Sequence, residues 1–241
     1  YSQKKKKCKF SASLFKGTFL GKSKITHWKL LLLINVFVTD HFSIKYCARE
    51  FKLGLHTIVD WKSFCSEVCE HWIESQPPIG GPDIIVEIDE SKFGKAKYGR
   101  GREVAGTWAF GAIERESKKK LIVQVPNRSA ATLIPLIQKH ILPGTHIVSD
   151  EWKAYSSLST LGYRHSTVNH SENFVDPASG QHTQNIERLW KDAKSWILRS
   201  GNKLEHYPQY FARYLFFKDI EPKKRLHEFL TAASDLYPPK K

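Results

Sequence analysis

The chain contains no methionine among its 241 residues, not even at position 1. It reads as a fragment or an incomplete gene model, with features upstream of Tyr1 expected to be missing. Cysteine is scarce: four residues, scattered along the chain. That spacing excludes a disulfide framework and favours a reducing compartment. Cys65 and Cys69 stand four apart near His71. They are expected to be buried thiols rather than zinc ligands. A long apolar run is also missing. The stretch 28–38 is too short to span a bilayer and carries Lys29 and Asn35, so it is expected to be a buried helix. No signal-peptide cleavage pattern is present, so the sequons at Asn127 and Asn169 carry no meaning. Acid is absent from residues 1–38, which hold nine lysines. It is absent again between Lys92 and Arg102, a block holding Lys95, Lys97 and Arg100. No internal repeat occurs.

What is present points to a polyanion. The net charge is +14, and an excess of that size favours nucleic acid. Lys4 to Lys7 read as a nuclear import signal, a phosphate-binding arm or a solvated tail. Hydrophobic residues make up 41% of the chain, with seven Trp, enough for a real core.

Residues 1–26 read as a basic, poorly ordered arm. A helix is predicted over 27–39. Ser43 opens a second one as N-cap, with Ile44, Cys47, Ala48 and Phe51 on one face. After a turn at 52–55, Thr57 caps a third helix running to about Ser75, with Ile58, Trp61, Cys65, Val68 and Trp72 as its stripe. The outline over 27–76 is helix-turn-helix-like. It would expose His56, Asp60 and Lys62 to DNA bases. The alternative is a plain three-helix packing module. Residues 77–83, rich in Pro and Gly, read as a linker.

Strands are then predicted at 84–89, 106–115 and 120–125, a helix at 130–141, and strands at 146–149 and 164–168. A short helix holding Trp152 and Tyr155 lies between those last two strands. Thr183 opens a helix to about Leu198, and helices over 204–217 and 222–236 close the chain. Three strands as a meander, then alternating helix and strand, is the order of the RNase H-like fold, a mixed α/β sheet flanked by helices. We assign it to 84–218, leaving 219–241 as a C-terminal helix and tail.

Two apolar strands run into acids, Asp89 in Ile84-Ile85-Val86-Glu87-Ile88-Asp89-Glu90 and Asp150 in His146-Ile147-Val148-Ser149-Asp150-Glu151. A third acid, Glu187, falls in the first turn of a predicted helix. Like charges meeting at such strand ends repel unless a cation lies between them. Hard ions such as Mg²⁺ or Mn²⁺ take oxygen ligands from carboxylates. Each acid also has a plain structural reading: a turn cap for Asp89, an N-cap for Asp150, an ion pair with Lys191 for Glu187. Glu87, Glu90 and Glu151 compete for the same roles. Asp89 and Asp150 are preferred because they stand where apolar strand is expected to give way to polar loop. On the last helix Glu187, Lys191 and Lys194 follow at i, i+4, i+7, so Lys194 can hold a phosphate near the acids. The block Lys92 to Arg102 reads as a loop lying on the DNA backbone. His165, His170 and His182 read as structural.

These motifs, with His182-Thr183-Gln184-Asn185-Ile186-Glu187-Arg188-Leu189-Trp190-Lys191-Asp192-Ala193-Lys194 as the most specific, resemble the DDE transposases of the Merlin group and their bacterial insertion-sequence relatives. The similarity spans about 12–218, including Phe15-Lys16-Gly17-Thr18-Phe19. It implies an RNase H-like catalytic domain, a DNA-binding N-terminal region and two divalent ions on Asp89, Asp150 and Glu187. It also implies Lys194 as the motif's lysine. Such an enzyme hydrolyses a strand at the transposon end and joins the freed 3′-hydroxyl to target DNA, with no covalent protein–DNA intermediate. Its partners would be duplex DNA at terminal inverted repeats and target sites, and further copies of itself, in the nucleus of a eukaryote or with the nucleoid otherwise. Relatives often begin with a zinc-binding segment, of which only Cys8 stands here. The competing readings are a catalytically silent transposase-derived DNA-binding protein and an RNase H-like nuclease acting on RNA or a hybrid.

Overall fold

The computed structural model describes residues 17–18, 20–21, 23–94, 106–168, 182–197 and 203–238. Contacts divide the chain into two units, one of Tyr1–His71 with Ile220–Lys241, the other Trp72–Asp219.

The first unit is helical. Helix α1 (His27–Val38) buries Leu30, Leu33, Ile34, Phe37 and Val38. It is not buried all round as its composition suggested: Trp28, Leu31 and Leu32 are 60%, 38% and 47% exposed. Helix α2 (Ile44–Phe51) starts as the sequence predicts, with the Ser43 hydroxyl accepting from the Tyr46 amide. It ends on Lys52 in the left-handed conformation, φ 52°. Helix α3 (Leu55–Glu74) begins two residues before the predicted Thr57 cap, because the Gly54 carbonyl already accepts from the Ile58 amide at 3.1 Å. Cys47, Cys65 and Cys69 are buried and form no disulfide, as expected. His56 and Asp60 are exposed, whereas Lys62 is half-buried, contrary to the expectation. Helix α7 (Arg225–Leu236) packs on α1, with the Phe229 and Phe37 rings 5.9 Å apart. No helix among the described residues is long and apolar enough to cross a membrane.

The second unit is built on a five-stranded sheet. Its strands are β2 (Ile85–Phe93), β3 (Thr107–Glu114), β4 (Lys120–Val125), β6 (His146–Asp150) and β7 (Arg164–Val168), in the order β4-β3-β2-β6-β7. β2, β3 and β4 form an antiparallel meander, while β6 and β7 join in parallel. This order and orientation is the RNase H-like fold. Helix α4 (Ala130–His140) covers one face, where Val86, Ile88, Phe110, Ala112 and Ile147 meet Leu133, Ile137 and Tyr155. Helices α5 (Gln184–Ile197) and α6 (Tyr207–Asp219) cover the other. A sheet covered on both faces needs buried residues in both phases of a strand, which is why β3 is buried at nearly every position.

Three local features differ from the sequence reading. Residues 77–83 include a short strand, β1 (Ile79–Gly80), paired in parallel with β5 (Ile141–Leu142). Between β6 and β7 stand only 3-10 turns, Lys153–Tyr155 and Leu158–Leu161, not an α-helix. A 3-10 turn at Leu204–His206 also precedes α6.

Candidate active site

Asp89 does not end its strand. β2 continues four residues further, and Asp89 pairs with Gly111 of β3. Two of its polar residues, Glu87 and Asp89, find their partners on α5. The Trp190 indole N–H donates to Asp89 Oδ2 at 2.9 Å. Trp190 reaches the strand only because Gly111 has no side chain: a Cβ there would lie 2.5 Å from the ring's Cη2. Gly111→Ala is therefore expected to destabilise the fold by about 1–3 kcal/mol through overpacking. A urea midpoint equal to the parent's would refute that close fit.

Asp150, in contrast, ends β6 as expected. Its Oδ1 accepts the Trp152 amide at 3.1 Å. β2 and β6 pair in parallel from Ile85↔His146 to Glu87↔Val148. Asp89 and Asp150 share the offset of those pairs, so they stand on one register line just past the last of them. In-register residues of neighbouring strands point to the same face, here the face that α5 covers.

The third acid is placed by a buried carboxylate. Glu87 is fully buried and faces α5 two places before Asp89. Its Oε2 accepts the backbone amides of Asn185 at 2.9 Å and Ile186 at 3.1 Å. Its Oε1 accepts from Asn185 Nδ2 at 2.7 Å and Arg115 Nε at 3.1 Å. His182 Nδ1 lies 3.5 Å away. Glu87 thus caps α5 from another strand, using its charge where helix amides are unsatisfied. Arg115 also ties in the His182 carbonyl at 2.8 Å. Glu187 follows in the first turn of α5, exposed, with the Thr183 hydroxyl donating to Oε1 at 3.4 Å. Lys194, one face further along, is half-buried with Nζ 5.5 Å from the Phe93 ring centre. Burial lowers its pKa, and Asp89 opposes that shift. Phe93 is in phase with Asp89 on β2, so Lys194 stands on the Asp89 side of the sheet.

Electrostatics tie the strand ends together. Burial pushes the Glu90 carboxyl up to about 8, the Asp89 and Asp150 carboxylates add to the rise, and the Arg128 guanidinium opposes it. Glu90 Oε1 is buried without a hydrogen-bond partner among the described residues. Folded chain then holds this proton across a range where unfolded chain, near the ordinary 4.5, has released it. The folded form binds more protons, so stability falls as pH rises from that ordinary value through about 8. Denaturation in EDTA should show this decline, and Glu90→Gln should flatten it. An unchanged slope in the variant would refute the assignment.

Among the described residues no group of three or more His, Cys, Asp and Glu side chains is placed to hold a metal ion. The donors at this edge are carboxylate oxygens, the type that hard divalent cations take. Their mutual repulsion, seen at Glu90, is what such a cation relieves. The donor chemistry fits.

Of the basic residues, Lys92 belongs to β2 rather than to a loop, and pairs with Trp108 of β3. Its Nζ lies 5.7 Å from the Trp108 ring centre. Lys95, Lys97, Arg100, Arg102 and His170 lie outside the described residues. Lys191 is exposed on α5. His165 bonds Ser149 Oγ at 2.9 Å, a structural role as expected. Sequence reasoning treated Glu87 as a rival ligand and Trp190 as plain core, and did not single out Gly111 or Arg115.

The sheet order, with acids at the β2/β6 edge and a third on the helix docked across it, defines an RNase H-like domain carrying an acidic edge. Residues 78–216 match the ISXO2-like transposase domain, and the chain belongs to that family. An uncharacterized transposase-like protein of Haemophilus influenzae is 29% identical over 93 residues, 38% of this chain and 74% of that protein. Solved structures similar to the chain include the HTLV-2 integrase catalytic core domain in complex with magnesium, at 14% identity and TM-score 0.33, covering 62% of this chain and 83% of that one. The BIV integrase catalytic core domain is 17% identical with TM-score 0.33, covering 65% and 85%. The fold assignment rests on the strand order itself.

Proposed function

We propose that the chain is a DNA transposase that cuts transposon-end DNA and joins the freed 3′-hydroxyl to target DNA. The observation that carries this reading is the shared register of Asp89 and Asp150, beside a helix whose first turn bears Glu187, in a transposase-family chain of net charge +14. Asp89, Asp150 and Glu187 would hold two Mg²⁺ or Mn²⁺ ions. Bound there, such ions lower the pKa of an attacking water or hydroxyl and stabilise the leaving oxygen.

The chain's own residues do the rest. Trp190 fixes the Asp89 carboxylate, and Glu87 fixes the helix that carries Glu187. Lys194 offers its ammonium to a phosphate on the Asp89 side. Lys92, Lys95, Lys97, Arg100, Arg102 and Lys191 would neutralise backbone charge, contacts that are salt-sensitive and sequence-blind. His56 and Lys62 would serve as base or backbone contacts of a helix-turn-helix. On the third motif we place the chain with the Merlin group, acting as a multimer on duplex DNA, in the nucleus if the host is a eukaryote and with the nucleoid otherwise.

The test is a nicking and strand-transfer assay with Mg²⁺ or Mn²⁺ on DNA carrying the repeats that flank the gene. Metal-dependent cleavage at the repeat ends supports the proposal. DNA binding without cleavage would instead assign a catalytically silent DNA-binding protein.

A further inference from the structure

Resting on the reading that this site acts on DNA, we infer that Arg128 is a clamp for a DNA backbone phosphate beside the acids. None of the sequence motifs pointed to it. Arg128 lies in the loop before α4, and its guanidinium lies over two indoles. Its Cζ is 4.1 Å from the Trp108 ring centre and 4.5 Å from that of Trp152. The backbone adds a lock: Trp152 Nε1 donates to the Arg128 carbonyl at 3.0 Å. Trp152 is 39% exposed, so this side of the guanidinium's surroundings is open to solvent.

A guanidinium has five N–H donors, all in its plane. Contacts to rings engage its π face, which leaves the in-plane donors as its way of binding. No hydrogen bond or ion pair to the Arg128 guanidinium occurs among the described residues. The nearby Glu90 carboxyl feels the charge of this guanidinium but forms no ion pair with it among the described residues. Such a fork matches phosphate and carboxylate bidentately. A chain of net charge +14 draws phosphate polyanions. The position is next to the chemistry: Trp152, which carries one of the two indoles, donates its amide to Asp150 Oδ1. The ring contacts hold the side chain before substrate arrives, so little freedom is lost on binding.

The experiment measures the affinity of the full chain for a fluorescent blunt-ended duplex over a salt series, by anisotropy. Arg128→Gln should weaken binding about tenfold at low salt. It should also make the slope of log affinity against log salt shallower by about 0.9, the loss of one phosphate contact. Trp152→Leu keeps the charge but frees the side chain, so affinity should fall while the slope stays. If Arg128→Gln does not fold, Arg128→Lys decides: the slope should hold and affinity fall, because the fork is gone. Wild-type affinity in Arg128→Lys, or an unchanged slope in folded Arg128→Gln, overturns the clamp. A parent chain that binds no duplex at all overturns the DNA reading instead.

Discussion

Asp150→Asn is expected to abolish metal-dependent nicking while leaving duplex binding unchanged. Asp150 ends β6 with Oδ1 already engaged by the Trp152 amide. An asparagine keeps that contact through its carbonyl but loses the negative charge that attracts a divalent cation. Metal-ion stabilisation contributes several kcal/mol to such reactions, and each ~1.36 kcal/mol is tenfold in rate. The loss should therefore be about a thousandfold or more. Asp89→Asn should behave alike, since its amide oxygen still accepts from Trp190. Rates are compared under single-turnover conditions with Mg²⁺, and binding by anisotropy on the same duplex. Nicking by Asp150→Asn close to the parent rate would remove Asp150 from the mechanism.

The largest stability effect is expected at Glu87. Glu87→Ala strips the acceptor from two backbone amides, the Asn185 amide group and Arg115 at once. Removing one partner of a buried pair destabilises by about 3–5 kcal/mol. The helix that carries Glu187 loses its anchor in the same step, so cleavage should fall as well. Urea denaturation of the full chain reads the first effect. A shift below about 1 kcal/mol, on the scale of a single ordinary hydrogen bond, would show that α5 is held elsewhere.

Much of this was legible from the residues, for physical reasons that differ by element. β4 and β7 fall where the sequence places them, because short apolar or alternating runs between turn residues carry the strand signal locally. The start of α5 was legible too, with Thr183 just before an amphipathic stripe. β2 was not. Its second half, Asp89 to Lys92, is polar and reads as loop, yet it remains strand. Asp89 takes its partner from Trp190 of α5, some hundred residues away, and no local pattern announces it. Long separation also hid β1, whose partner is β5. Trp152 and Tyr155 were expected in a short helix, but after Asp150 accepts the Trp152 amide the chain forms a 3-10 turn. For the site, the three acids could be listed from sequence. That Asp89 and Asp150 share a register line, and that Glu87 serves the scaffold, needed the sheet.

The order of pairing in the sheet bears on how the molecule assembles. The β2-β3-β4 meander joins neighbours in sequence, whereas β2 meets β6 only across a long intervening chain. Loops that long close late. During refolding the hairpins should therefore form first and leave one edge of β2 open, with the two aspartates still apart. An intermediate of that kind offers an unpaired strand to other chains, so recovery of cleavage should lag behind recovery of secondary structure and worsen at high protein concentration.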